Sequence, residues 1–384
     1  MPPFLYTARE LYDWLIAREG IVVVDVRNHD DFARFKVEGP YPFTLLNIPY
    51  FDFMESEQEC LAQLPVGARI RIVCAKEASA RYVAEIVHKG GFADVGFLQG
   101  GINSWGNLLV PRQLPTPDHY QLYQFIRPGK GSCSYGLLAG GSMLLFDPSR
   151  NLEFYLAFAR EHSATIVKTF ETHLQADYIA GSRMIAERTG AEFFANAGDF
   201  TGANFHYHAL ENGGQYGFSA PGPSVRALFT PGHTPGSTTY VIDEKYLVTG
   251  DTVFIKSIGR PDLGGKAEEW ARLLFASMAA MKKLDPGLLV LPGHFIDWDE
   301  ADSRLTFACT LGEAIARNRS IYDIETAEGF IAFIQANMRK QPEEYKRIRL
   351  INANLEKADE EEQNILDIGK NECAASAYAK RKAA

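Results

Sequence analysis

Cysteine is scarce and scattered. Five thiols (Cys60, Cys74, Cys133, Cys309 and Cys373) stand in 384 residues, their number is odd, and no two form a CxxC pair. Neither a disulfide framework nor a thiolate zinc cage is indicated, and reduced thiols in a reducing compartment fit better. No apolar run approaches the ~18 residues of a membrane span. No basic block accompanies the net charge of −9, which argues against nucleic acid as a partner. The start, Met1-Pro2-Pro3-Phe4-Leu5-Tyr6, lacks the basic and then apolar regions of a secretory signal. A soluble, cytoplasmic protein is therefore expected, with neither membrane nor nucleic acid among its partners. The length exceeds what one core holds, so two domains are expected.

The first stretch alternates helix and strand signals. Helix-like 8–18 precedes strand-like 21–26, and strand-like 69–73, helix-like 80–89 and strand-like 95–98 follow. Such alternation implies a parallel sheet covered by helices, with functional groups at the carboxyl ends of its strands. Cys74 sits at such an end, closing the strand and leading through Ala75-Lys76-Glu77-Ala78-Ser79 into a helix. There the loop amides and the helix dipole stabilise a thiolate, an anion or a cysteine persulfide.

Together with Asp25-Val26-Arg27, Asn47-Ile48-Pro49 and Gln99-Gly100-Gly101-Ile102-Asn103-Ser104-Trp105, this loop resembles a rhodanese domain over residues 1–109. The resemblance implies that Cys74 is the sulfur-carrying nucleophile of a sulfurtransferase. Many rhodanese loops carry Gly and Arg where this one has Glu77 or Ala78 and Ser79, so Lys76 is expected to supply positive charge to the substrate. Residues 110–118, with Pro111, Pro115 and Pro117, read as a semi-rigid linker.

A second domain is expected over 119–384. Strand-like 135–139 and 142–147 flank Gly140-Gly141, a hairpin turn signal. Helix-like 152–161 leads to strand-like 165–169, and then comes Glu171-Thr172-His173-Leu174-Gln175-Ala176-Asp177-Tyr178. Further strands at 225–229, 238–242, 246–248 and 288–291 end near Pro231-Gly232-His233, Thr249-Gly250-Asp251 and Pro292-Gly293-His294. Each turn holds a glycine, so loop backbone can pack closely and the side chains can converge. Helical segments at 311–320, 327–338 and 343–357 follow.

This spacing resembles the metallo-β-lactamase superfold, whose strand-end HxHxDH motif is followed by distant His, Asp and His. The implied fold class is α/β throughout: a rhodanese-like parallel sheet with helices on both faces, then an αββα sandwich with a helical C-terminal extension. Gln175 and Tyr178 replace two imidazoles of the motif, which a two-metal hydrolase needs to hold its pair of ions. The surviving His173, His233 and Asp251 are the two-His, one-carboxylate set of non-haem Fe(II) oxygenases. The persulfide dioxygenase branch of the superfamily uses that subset. Gly259-Arg260-Pro261-Asp262 resembles a signature of the same branch, in which the Arg grips a carboxylate of a glutathione moiety. The stretch Gly369-Lys370-Asn371-Glu372-Cys373 resembles the Asn-x-x-Cys-like tail of the same branch.

The resemblance implies one Fe(II) per chain, held by His173, His233 and Asp251. His294 and Asp177 would orient the ligands, while Arg260, Tyr178 and Gln175 would line the substrate cleft. The expected reaction converts a low-molecular-weight thiol persulfide and dioxygen to sulfite and thiol, coupled through Cys74 to thiosulfate. A homo-oligomer is expected. The rival readings are a thioester hydrolase of the glyoxalase II kind and a sulfur carrier whose second domain has lost catalysis.

Overall fold

The computed structural model describes residues 2–218 and 222–375. The described residues form two compact units, one built on 2–110 with 127–130 and 368–370, the other on 111–126, 131–367 and 371–375.

In the first unit, β1 (Phe4–Tyr6), β2 (Ile21–Asp25), β3 (Thr44–Asn47), β4 (Arg69–Val73) and β5 (Val95–Leu98) form one sheet in the order β1-β5-β4-β2-β3. Every pairing in it is parallel. Strand β2 reads Ile-Val-Val-Val-Asp and is buried throughout, as a parallel strand covered on both faces must be. Val22, Val24, Ile70 and Ile72 pack with Ala80, Val83 and Val87 of the helix Ala78–Lys89. The helix Ala8–Ala17 opens with a capping box between Thr7 and Glu10 and ends at Arg18 in the left-handed conformation. Edge strands β1 and β3 escaped the sequence reading because they are short and only partly buried, which leaves little periodic signal.

In the second unit, β6 (Val110–Leu114), β7 (Gln121–Arg127), β8 (Ser132–Ala139), β9 (Ser142–Phe146), β10 (Thr165–Phe170), β11 (Glu192–Ala195) and β12 (His208–Ala209) lie in sequence order in a seven-stranded sheet. The expectation of a linker over 110–118 is corrected here, because 110–114 is the edge strand β6. Pro111 disguised it. A proline lacks a ladder donor, yet an edge strand tolerates it where its nitrogen faces away from the neighbour. The β8–β9 hairpin turns at Gly140 and Gly141, both at positive φ (55° and 75°), as a two-residue type I′ turn requires.

The third sheet runs β13 (Val225–Phe229), β14 (Thr238–Ile242), β15 (Tyr246–Gly250), β16 (Leu289–Pro292) and β17 (Cys309–Thr310). It faces the seven-stranded sheet through an aromatic seam, with the Tyr240 ring 5.2 Å from both Phe146 and Phe170. The expected helix over 343–357 is shorter, Glu344–Asn352. Asn354 takes a left-handed φ of 55°, and a new helix, Glu360–Leu366, starts at the Asp359–Glu362 capping box. The acidic run thus lies at a helix N-terminus, where the dipole favours it.

Candidate metal centre

Three loops at the ends of β10, β13 and β15 deliver His173, His233 and Asp251 to one buried point. His173 Nε2 lies 3.8 Å and His233 Nε2 3.4 Å from Asp251 Oδ2. The two imidazoles stand nearly perpendicular, 4.9 Å apart. None of these three atoms has a hydrogen-bond partner, and all three residues are at most 2% exposed. Unpaired buried polar atoms are costly, and three aimed at one another fit a cation. Separations of 3.4 and 3.8 Å are short enough for one ion with bonds of about 2.0–2.2 Å to reach all three atoms.

The remaining ring nitrogens set the tautomers. His233 Nδ1 donates to the carbonyl oxygen of Arg260 at 2.8 Å. Thr172 Oγ1 donates to Asp147 Oδ2 at 2.8 Å, so it accepts from His173 Nδ1 at 2.9 Å. Both Nε2 lone pairs therefore point at Asp251. Burial pushes the His173 imidazole down to about 3, and burial lowers His233 as well, so both rings are neutral ligands at neutral pH. For Asp251, burial alone would favour the neutral acid, but the surrounding imidazoles, His294 first, hold the carboxyl below its usual range.

Glycines make the convergence possible. At Gly259 a Cβ would sit 1.9 Å from the Asp251 carbonyl oxygen and 2.9 Å from His233 Nδ1. At Gly250, whose φ is +49°, it would sit 2.2 Å from Thr172 Oγ1.

His294 bridges two carboxylates, with Nδ1 2.6 Å from Asp251 Oδ1 and Nε2 2.9 Å from Asp177 Oδ2. Burial opposes its charge, but those two carboxylates outweigh burial and push it up to about 10.

Three expected cleft residues are placed otherwise. The Gln175 amide donates to Glu171 Oε2 at 3.3 Å, and the side chain lines an inner chamber with Leu174, Ser182, Phe193 and Asn352 rather than with the ligands. Tyr178 is 3% exposed and donates through its hydroxyl to the Asp147 carbonyl oxygen at 3.2 Å. The Arg260 guanidinium is already engaged, with Nε 2.6 Å and Nη2 2.8 Å from the two oxygens of Asp262 and further donations to the carbonyls of Arg339 and Glu372. Its fork is used inside the protein, and its contribution to the centre is its own backbone carbonyl.

The sequence reading missed Asp147, Asp199 and the position of Cys373. Asp147 also accepts the Thr172 backbone N–H at 2.7 Å, and burial raises its carboxyl to about 6. Its signal was its place at the end of the strand that neighbours β10. Asp199 takes Leu174 N–H, Gly236 N–H and the Thr234 hydroxyl, tying the His173 and His233 loops together; it lies in an interval that carries no motif. Cys373 lies with Asp177 and His294 in a second buried cluster of ligand atoms, all within 4.8 Å of one another.

In the rhodanese-like unit, Cys74 is 4% exposed. Burial raises its thiol, while the backbone N–H groups of Ala80, Lys76 and Ser79 act against that. The expected amide cradle is thus present, but burial outweighs it. Lys76 is exposed. Gly101 lets the next helix approach: a Cβ there would lie 2.5 Å from the Cys74 carbonyl oxygen, which accepts Ile102 N–H at 2.8 Å.

Comparison with known proteins agrees with this division. Residues 7–108 match the rhodanese-like domain family and residues 128–294 the metallo-beta-lactamase superfamily. A hydroxyacylglutathione hydrolase of Acidiphilium cryptum (strain JF-5) is 37% identical over 123 residues, which are 32% of this chain and 48% of that protein. The chain thus spans about half the length of that relative. A probable polyketide biosynthesis zinc-dependent hydrolase of Bacillus velezensis is 26% identical over 197 residues, covering 50% of this chain and 81% of that protein. Among solved structures, a metallo-beta-lactamase from Staphylococcus aureus superimposes with a TM-score of 0.55 at 26% identity, over 62% of this chain and 73% of that one. The protein ETHE1 from Myxococcus xanthus gives a TM-score of 0.52 at 22% identity, over 64% and 99%, a likeness of fold.

Proposed function

We propose that the metallo-beta-lactamase domain is an iron-dependent dioxygenase that oxidises a low-molecular-weight thiol persulfide, of the glutathione type, to sulfite and thiol, and that the rhodanese-like domain before it passes sulfur through Cys74. The observation that carries this reading is the donor set: two imidazole nitrogens and one carboxylate oxygen converge without partners, with neither Gln175 nor Tyr178 among them. Iron(II) in such a set keeps three positions open and supplies the redox chemistry that joins dioxygen to sulfur.

The chain's own residues prepare that centre. Asp147, through Thr172, fixes His173; the Arg260 carbonyl fixes His233; His294 orients Asp251. Such outer partners hold the rings and the carboxylate in ligating orientation. In the first domain the Cys74 thiolate takes the outer sulfur of a persulfide, whose own thiolate leaves, and the Lys76 ammonium supplies positive charge to an anionic donor. Sulfite attacks that outer sulfur, the Cys74 thiolate leaves, and thiosulfate is the product.

A second reading, thioester hydrolysis with a metal-activated hydroxide, is favoured by the identity shared with the hydroxyacylglutathione hydrolase. Iron loading separates the two. Under anaerobic loading and desalting the full chain is expected to retain one iron, and His173→Ala, His233→Ala and Asp251→Ala are each expected to lose it. Retention of zinc in preference to iron, with turnover of a glutathione thioester, would decide for hydrolysis.

A further inference from the structure

We propose that Glu77 is a positioning residue for the sulfur of Cys74: its carboxylate is held away from the helix that it begins, which leaves the first N–H groups of that helix to the sulfur. The proposal deepens the sulfur-transfer role given to Cys74 above and rests on that reading.

The loop after Cys74 runs directly into the helix Ala78–Lys89, and Glu77 is the residue that opens it. Its carbonyl oxygen accepts the first helical bond, from Arg81 N–H at 3.0 Å. A side chain at such a position ordinarily turns back to take the N–H two or three residues on, which here belong to Ser79 and Ala80. Glu77 makes no such bond. Its carboxylate accepts the Gly100 N–H instead, at 3.2 Å. The N–H groups of Ser79 and Ala80, with that of Lys76, are the ones that bond to the Cys74 sulfur.

The turn that draws the carboxylate aside is itself packed on the loop. Gly100 and Gly101 both take left-handed φ, 68° and 60°, and a Cβ on Gly101 would lie 2.6 Å from the Lys76 carbonyl oxygen as well as against that of Cys74. Glu77 adds a side-chain attachment to that contact. Its length matters, because aspartate is one methylene shorter and is among the preferred residues for capping a helix start. An N–H drawn into a cap is lost to the sulfur anion, and hydrogen bonds to an ionised group are the strong ones. Glutamate thus gives up an ordinary cap and leaves the donors where a thiolate or a persulfide anion needs them.

Alkylation by iodoacetamide tests this on the full chain, because it reads the Cys74 thiolate whether or not the domain transfers sulfur. An inactive domain and a failed positioning role therefore give different results. Modification is followed at the Cys74 peptide by mass spectrometry between about pH 7 and 10, beside the melting temperature, and the buried Cys60, Cys133, Cys309 and Cys373 report any unfolding. Glu77→Asp is expected to cap the helix, so its Tm should equal or exceed the parent's while alkylation below the midpoint slows about tenfold, as the loss of one hydrogen bond to a charged group implies. Its profile should move to higher pH. Glu77→Gln keeps an acceptor for Gly100 N–H and loses a negative charge, so it should react at least as fast as the parent. The other ionisable groups around the thiol, Asp25 at the end of β2, Tyr6 of β1 and Lys76 in the loop, are the same in all three proteins. Alkylation of Glu77→Asp at the parental rate or faster overturns the proposal. So does a Glu77→Gln protein slowed as much as the aspartate variant, and so does a slowing that comes with a lowered Tm, which would reduce Glu77 to a part of the fold.

Discussion

Nδ1 of His294 lies 2.6 Å from Oδ1 of Asp251, which turns the other oxygen, Oδ2, toward His173 and His233. Removing the ring leaves a buried carboxylate without its orienting cation. His294→Ala is expected to weaken iron binding at the centre by roughly 10–100-fold, the usual cost of losing an outer partner of a metal ligand. Competition against a chelator of known affinity measures it.

Asp147 sets a tautomer from one residue further out. In Asp147→Asn, an amide NH₂ facing Thr172 Oγ1 turns the hydroxyl from a donor toward Asp147 into a donor toward His173 Nδ1. The ring then carries its proton on Nε2 and cannot ligate through it. Iron retention is expected to fall by a similar factor of about 10–100, while Asp147→Glu, which keeps an acceptor, recovers part of it. The same chelator competition reads both variants.

Arg260 and Asp262 make a buried, two-bonded pair. Cutting it at one end strands a charge, so Arg260→Ala is expected to lose stability of about 3–5 kcal/mol. Arg260→Lys should recover little, because an ammonium cannot reproduce the fork. Denaturant unfolding of the full chain checks this. A variant of wild-type stability with only a raised KM would return Arg260 to the substrate cleft.

The reach of the sequence is clear from these residues. His173, His233, Asp251 and His294 were legible because each follows a strand and, in three cases, a glycine that admits close backbone approach. The parallel sheet around Ile21–Asp25 and Arg69–Val73 was legible from unbroken apolar runs. The hydrogen-bond partners of Arg260, Gln175 and Tyr178 were not legible because a motif gives a residue's position along the chain but not its side-chain direction. Arg260 finds Asp262 two residues on, and Gln175 turns to Glu171. Cys373 was beyond reach for a different reason: its neighbours Asp177 and His294 lie 196 and 79 residues away, and they meet through long-range bonds such as Arg260 N–H to the Cys373 carbonyl and Ala375 N–H to the Ile258 carbonyl.

Cys74 gives a pH prediction. Its folded thiol pKa is raised above the ordinary value by burial, so the thiolate is a minority species at neutral pH and its share grows as pH rises. Sulfur transfer to cyanide or sulfite is therefore expected to keep climbing between about pH 7 and 9 rather than level off, since the thiolate is the nucleophile. A pH profile of the full chain that is flat over that interval would contradict the raised thiol.

Cys74→Ser separates the two domains' chemistry. The change leaves His173, His233 and Asp251 untouched. Oxygen uptake on glutathione persulfide should match the parent, with sulfite accumulating where the parent also makes thiosulfate. Tethering on one chain holds two sites at an effective concentration of order mM where geometry allows them to meet. Equal sulfite-to-thiosulfate ratios in both proteins, after subtracting the uncatalysed reaction, would remove Cys74 from the coupling.

The reaction proposed for the metal centre is tested most directly by oxygen electrode measurements on the anaerobically iron-loaded full chain supplied with glutathione persulfide. The balanced reaction consumes one dioxygen and one water per persulfide and yields one thiol and one sulfite. Uptake in that one-to-one ratio, abolished in His173→Ala, is the expected result. No oxygen uptake by fully iron-loaded protein, together with hydrolysis of a glutathione thioester by the zinc-loaded form, would contradict it.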